Sequence, residues 1–173
     1  FVLAIDGRDN SRLLVQERYE VLRAMFYHET HDADAYLDPP DADTPLFKPI
    51  DLMLQTATPL LTGNWQASSE TYETGDLAYG NANPAAPDYD SLADFIFAGD
   101  YVELKLPWQL LNFSDPSRMT IHDDYYENYG VDYITIDTMY LGLTDGAAQE
   151  RTPLYPAALK GWGNTVSYHE RLK

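Results

Sequence analysis

Between positions 123 and 129 the chain reads Asp123-Asp124-Tyr125-Tyr126-Glu127-Asn128-Tyr129. Three carboxylates and an amide this close together supply hard oxygen donors, the ligand class that calcium takes. Asp123, Asp124, Glu127 and Asn128 are therefore candidate metal ligands, and Asp6, Asp9 and Asn10 form a second, sparser acidic set. Neither set has the D-x-[DN]-x-[DN]-G spacing of an EF-hand loop, so a plain solvated acidic loop stands beside the calcium reading.

Tyr125, Tyr126 and Tyr129 of the same stretch offer flat rings with a polar edge. Trp65 sits beside Asn64 and Gln66, and Trp162 lies two residues before Asn164. Sugar recognition needs that combination, an apolar face to stack on and amides or carboxylates to bind hydroxyls. Trp65, Trp162, Tyr125, Tyr126 and Tyr129 are thus candidate ligand-binding residues for a glycan, the alternative for each being a partly buried loop anchor.

Other chemistries find less support. His28-Glu29-Thr30-His31 brings two imidazoles near carboxylates, but the second histidine comes one residue too early for H-E-x-x-H, and the stretch reads as a polar helix end entering a loop. There is no cysteine, which removes disulfides, thiolate metal sites and cysteine nucleophiles. No Gly-rich phosphate loop or G-x-S-x-G elbow is present. With 28 acidic residues some pair always meets a glycosidase spacing, so the carboxylates assign no catalysis and a non-catalytic protein is expected.

The chain has 173 residues, one domain's worth, with 11 Lys plus Arg against 28 Asp plus Glu and a net charge of -17. A surface of that sign repels phosphate backbones and anionic lipid, so neither nucleic acid nor a membrane surface is an expected partner. No apolar run approaches the roughly 20 residues that span a bilayer.

The elements that must position these residues are mostly strands. Phe95-Ile96-Phe97, the turn Ala98-Gly99-Asp100 and the alternating run Tyr101 to Leu106 predict a β-hairpin, stopped by Pro107 so that Trp108, Leu110 and Leu111 fold back as an apolar plug. Phe1 to Ile5 reads as a strand and Asp6 to Asn10 as a turn. From Ser11, as N-cap, the spacing of Val15, Tyr19, Leu22 and Phe26 predicts an amphipathic helix over residues 12 to 28, with a second strand as the competing reading. Thr30 to Pro49 is a loop rich in Asp and Pro. Strands are expected at Ile50 to Gln55, Trp65 to Ala67, Ser69 to Thr74, a long one at Val131 to Leu143, and a closing one at Asn164 to His169. Phe113 to Arg118 and Thr144 to Pro156 read as turn and loop, and Trp108 as a core residue. Short strands separated by turns predict a mainly β domain with long loops.

The phrase Gly99-Asp100-Tyr101-Val102-Glu103-Leu104-Lys105-Leu106-Pro107-Trp108 with Leu111 resembles the G-x-x-v-E-x-x-I-P-W-x-x-L signature of family 9 carbohydrate-binding modules and related DOMON-like domains, and Phe1 to Asp6 is similar to their earlier strand. The resemblance implies a two-sheet antiparallel β-sandwich, jelly-roll-like, into which the helix would be inserted. It also implies structural calcium and an extracellular or cell-surface module joined to other domains, often a glycosidase. The family's opening strands and first tryptophan would precede Phe1, so residues 1–173 are expected to be one sandwich domain cut from a larger exported protein. Some DOMON-like domains ligate haem through a Met and a His, for which Met119 and His122 are the pair to inspect; a core methionine and a surface histidine are the other reading. The function expected is glycan binding, with a structural accessory domain that packs on its neighbour as the alternative.

Overall fold

The computed structural model of the chain describes residues 1–20, 39–55, 58–59, 66–128, 132–145 and 152–163. The fold is mainly β, and the chain divides into two compact units: Phe1–Leu111 with Asp124–Gly130, and Asn112–Asp123 with Val131–Lys173.

In the first unit, β1 (Val2–Ala4), β2 (Arg12–Gln16) and β3 (Phe47–Pro49) make an antiparallel sheet with β2 in the centre. The start of the expected helix is therefore a strand. Leu13 and Val15 alternate inward from β2, and the ladders to β1 (Val2 opposite Leu14) and β3 (Leu14 opposite Pro49) satisfy its backbone, so a period of two prevails over 3.6. A single 3-10 turn, Glu17–Tyr19, follows; residues 21–28 lie outside the described residues, among which no helix reaches seven residues. Ser11 caps a turn instead of a helix. Its fully buried Oγ accepts the Asp6 N–H at 2.9 Å and donates to the Gly7 carbonyl at 2.8 Å.

Strands β4 (Asp51–Gln55) and β7 (Glu70–Glu73) pair antiparallel, as do the two-residue strands β5 (Thr58–Pro59) and β6 (Gln66–Ala67). The expected hairpin forms from β8 (Phe95–Ala98) and β9 (Tyr101–Leu104), with Phe95 opposite Leu104 and Ala98 opposite Tyr101. Gly99 takes φ +63° at the first of two loop positions, the glycine placement of a type II′ turn. Beyond Pro107, Trp108–Leu111 makes a 3-10 turn that lays Leu110 and Leu111 on the core; Trp108, expected within that core, is half-buried.

The core of this unit is Leu13, Leu77 and Phe95, with Leu3, Ile50, Tyr79 and Leu106 packed around it. Phe95 is 1% exposed and meets the rings of Tyr79 and Phe97 edge-on, at centroid distances of 5.4 and 5.7 Å. Leu77 reaches this position because the 74–77 turn abuts β2. The Leu13 N–H donates to the Gly75 carbonyl at 2.7 Å, and the Leu77 N–H to the Ser11 carbonyl at 3.0 Å. A Cβ on Gly75 would fall 2.3 Å from the Leu13 carbonyl oxygen, so only glycine fits.

In the second unit, β10 (Phe113–Asp115), β11 (Thr120–His122) and β12 (Tyr133–Thr135) form an antiparallel sheet, and β13 (Thr138–Leu141) pairs with β14 (Tyr155–Ala158). Phe113–Asp115 is thus a strand, and the turn expected there begins at Pro116. The long strand expected over Val131 to Leu143 is two strands belonging to different sheets. They part at Ile136 and Asp137, where the Ile136 N–H bonds the Met119 carbonyl and the Asp137 carbonyl accepts the Leu159 N–H. Part of the expected 144–156 loop also pairs, since β14 includes Tyr155 and Pro156. The expected closing strand at 164–169 lies outside the described residues.

Replacing Phe95 by Ala removes the largest buried side chain of the core and is expected to destabilise the first unit by about 3–5 kcal/mol. Urea unfolding followed by tryptophan emission measures it; a loss below about 1 kcal/mol would refute the packing described.

Candidate functional site

The acidic and tyrosine-rich stretch folds as a short helix, α1 (Tyr125–Asn128), after Asp123 and Asp124. Asp124 is committed to protein partners. Its Oδ2 accepts from Arg18 Nε at 2.5 Å and its Oδ1 from the Tyr126 N–H at 2.9 Å, with both ion-pair side chains about nine-tenths buried. The Arg18 guanidinium also donates to the Pro40 carbonyl at 2.7 Å and lies over the Tyr126 ring, 5.5 Å from its centroid. A buried pair of this kind contributes little net stability when complete, but losing one partner strands a charge and costs about 3–5 kcal/mol. The arrangement ties the end of β2 to α1 and uses carboxylate oxygens that a cation would need.

The other candidate ligands are placed differently. Glu127 is exposed, 3.9 Å from Arg18, and Asp123 donates its backbone N–H to the Asp132 carbonyl at 2.9 Å. The Asn128 side chain lies outside what is described, and among the described residues no group of three or more His, Asp or Glu forms a metal cluster. Of the aromatic candidates, Tyr126 is 9% exposed beneath Arg18 and presents no face to a ligand. Trp162 is 48% exposed. Trp65, Tyr129 and the Tyr125 side chain fall outside the described residues.

Trp162 stands between two glycines that hold its turn against the loop at Ser117. A Cβ on Gly161 would fall 2.3 Å from the Ser117 carbonyl oxygen; the Gly163 N–H donates to that same oxygen at 2.9 Å, with φ +64°. The indole is thus held out at a turn whose backbone is fixed.

Met119 is buried at a left-handed turn position, φ +56°. His122 lies on β11 with its ring against Tyr133 at 5.3 Å, and its Nδ1 is buried without a hydrogen-bond partner. It is a half-buried packing residue rather than the surface histidine expected. Burial holds its pKa below the usual histidine range.

Two features escaped the sequence reading. A cleft of about 140 Å³ is lined by Glu17, Glu20, Lys48, Pro49 and Asp51, with Lys48 Nζ 3.2 Å from Glu17 Oε1. It is smaller than the roughly 300 Å³ of ordinary small-molecule sites. The second is the β13–β14 ribbon. Leu141 and Tyr155 oppose each other on one face and Tyr140 stands on the other, with Leu143 and Leu154 just beyond the strand ends; all five are between 55% and 76% exposed. The signal for it lay in the 131–143 stretch, where apolar residues fall on both strand faces.

Comparison with protein-family models, curated proteins and solved structures found no match.

Because burial favours neutral His122, its contribution to stability is complete above its ordinary pKa near 6.5 and is lost as pH falls through that value toward the lowered folded pKa. Thermal melts between pH 8 and pH 5 are expected to show a steeper acid loss in the native chain than in His122→Phe; superimposable profiles would remove His122 as the cause.

Proposed function

We propose that the chain is a non-catalytic β-rich accessory module that works by packing its exposed apolar strands against another protein surface, in the same polypeptide or a separate one. The carrying observation is the β13–β14 ribbon, which shows large apolar side chains on both faces. A two-stranded ribbon in water is marginal on its own, and a cluster of exposed leucines and tyrosines of this density marks an interaction surface. In the family 9 and DOMON-like reading, such strands would be components of a two-sheet sandwich in an exported protein. A photo-crosslinking amino acid at position 141 or 155, in the protein as it occurs in its cell, is expected to give a discrete protein adduct that the same group at exposed Leu92 does not. Adducts from neither ribbon position would sink the packing function.

Trp162 favours a second reading, carbohydrate binding. A 48% exposed indole on a turn fixed by Gly161 and Gly163 suits stacking on a sugar ring, and the family 9 resemblance points to the same ligand class. Calcium, which the same resemblance implies, would then be structural. On a glycan array run with calcium and with a chelator, binding that falls at least ten-fold in Trp162→Ala is expected; a blank array from folded protein discards this reading and leaves the first.

A further inference from the structure

Asp6 is followed by Gly7, and both are exposed in the turn between Ala4 and Arg12, which oppose each other in the β1–β2 ladder. We infer that the Asp6-Gly7 linkage is a modification site, at which aspartate converts to isoaspartate without an enzyme. The Gly7 main-chain nitrogen attacks Cγ of the Asp6 carboxylic acid. An N–Cγ bond forms, the Cγ–OH bond breaks, and the hydroxyl leaves as water with the amide hydrogen. Water then opens the five-membered imide at either carbonyl. Attack at Cγ restores aspartate, whereas attack at the Asp6 main-chain carbonyl carbon breaks its bond to the Gly7 nitrogen and leaves the chain running through the side chain. Nothing is oxidised or reduced, and the mass returns to that of the native chain.

The geometry favours this linkage over others. Gly7 takes φ +71°, and a Cβ built on it meets nothing within 4 Å, so the space beside its nitrogen is open. Asp90-Ser91 is equally exposed and also has a small successor, but Asp90 Oδ1 accepts the Leu92 N–H at 2.9 Å and is held there. The Asp6 turn is tethered through its main chain instead. The fully buried Ser11 Oγ spans the linkage, accepting the Asp6 N–H at 2.9 Å and donating to the Gly7 carbonyl at 2.8 Å. An isoaspartyl link puts one more carbon between those two groups and a free carboxylate beside them, so one hydroxyl no longer meets both. A buried hydroxyl deprived of a partner destabilises the fold. The Ser11 carbonyl also accepts the Leu77 N–H at 3.0 Å, which sets the change against the core.

The test incubates the whole chain at mildly acid pH, beside short unfolded peptides centred on Asp6 and on Asp90, and maps isoaspartate residue by residue by fragmentation mass spectrometry. Mapping by residue is required because Asp145-Gly146 repeats the dipeptide, with position 146 outside the described residues. In the folded chain Asp6 is expected to isomerise within about three-fold of its peptide's rate, and Asp90 at least about ten-fold slower than its own peptide, because a held carboxyl reacts only after local opening. Asp6 slowed as much as Asp90 would overturn the site. Asp6→Glu, which would have to close a six-membered ring, is expected to abolish the product there while the fresh protein melts as the native chain does. The isomerised fraction of the native chain is expected to melt several degrees lower than the unmodified fraction, a loss that aged Asp6→Glu does not show. Isoaspartate at position 6 with an unchanged melt would overturn the coupling to Ser11, and a melting loss that persists in aged Asp6→Glu would assign it to another residue.

Discussion

The first unit depends on how closely the 74–77 turn approaches β2. Two backbone hydrogen bonds, Leu13 to Gly75 and Leu77 to Ser11, hold the turn against the strand, and the missing Cβ of Gly75 leaves the room they need. That approach sets Leu77 against Leu13 and, across them, Phe95 from a hairpin some eighty residues away in sequence. Once these three meet, Tyr79 and Phe97 are positioned by their ring contacts to Phe95, and the Arg8 guanidinium stacks over Tyr79 at 4.5 Å. A core this small leaves most strand faces to find other cover.

How much was legible in the sequence follows from whether the deciding interaction is local. The 95–104 hairpin was readable because its alternation, its Gly-Asp turn and its stop at Pro107 lie within about a dozen residues. β2 was not, because Val15 and Tyr19 sit four apart in a stretch that also alternates, and the choice between the two periods was made by β1 and β3 on either side. The break at Ile136 and Asp137 was hidden for the same reason: a stretch that keeps strand-forming residues on both sides of the break carries no mark of two sheets claiming its halves.

The candidate site shows the same limit. Asp124 was read as one carboxylate among several, and nothing nearby distinguishes it; its partner Arg18 lies 106 positions upstream, in what read as the polar face of a helix. Tyr126 is buried by that same guanidinium, so one long-range ion pair removes a candidate ligand and a candidate stacking ring together. The exposure of Trp162 was legible in outline, because a tryptophan between two glycines in a turn-rich segment has few ways to be covered by its own backbone.

The pairing of Arg18 with Asp124 also governs where the chain can be divided. The polypeptide leaves the first unit after Leu111, returns to it at Asp124, and departs again after Gly130. The two units are therefore interleaved along the chain, and no single cut separates them. A truncation at Leu111 would carry away the carboxylate and leave Arg18 in a site built for two charges. A duplication or exchange of either unit during evolution has to move two pieces of gene at once.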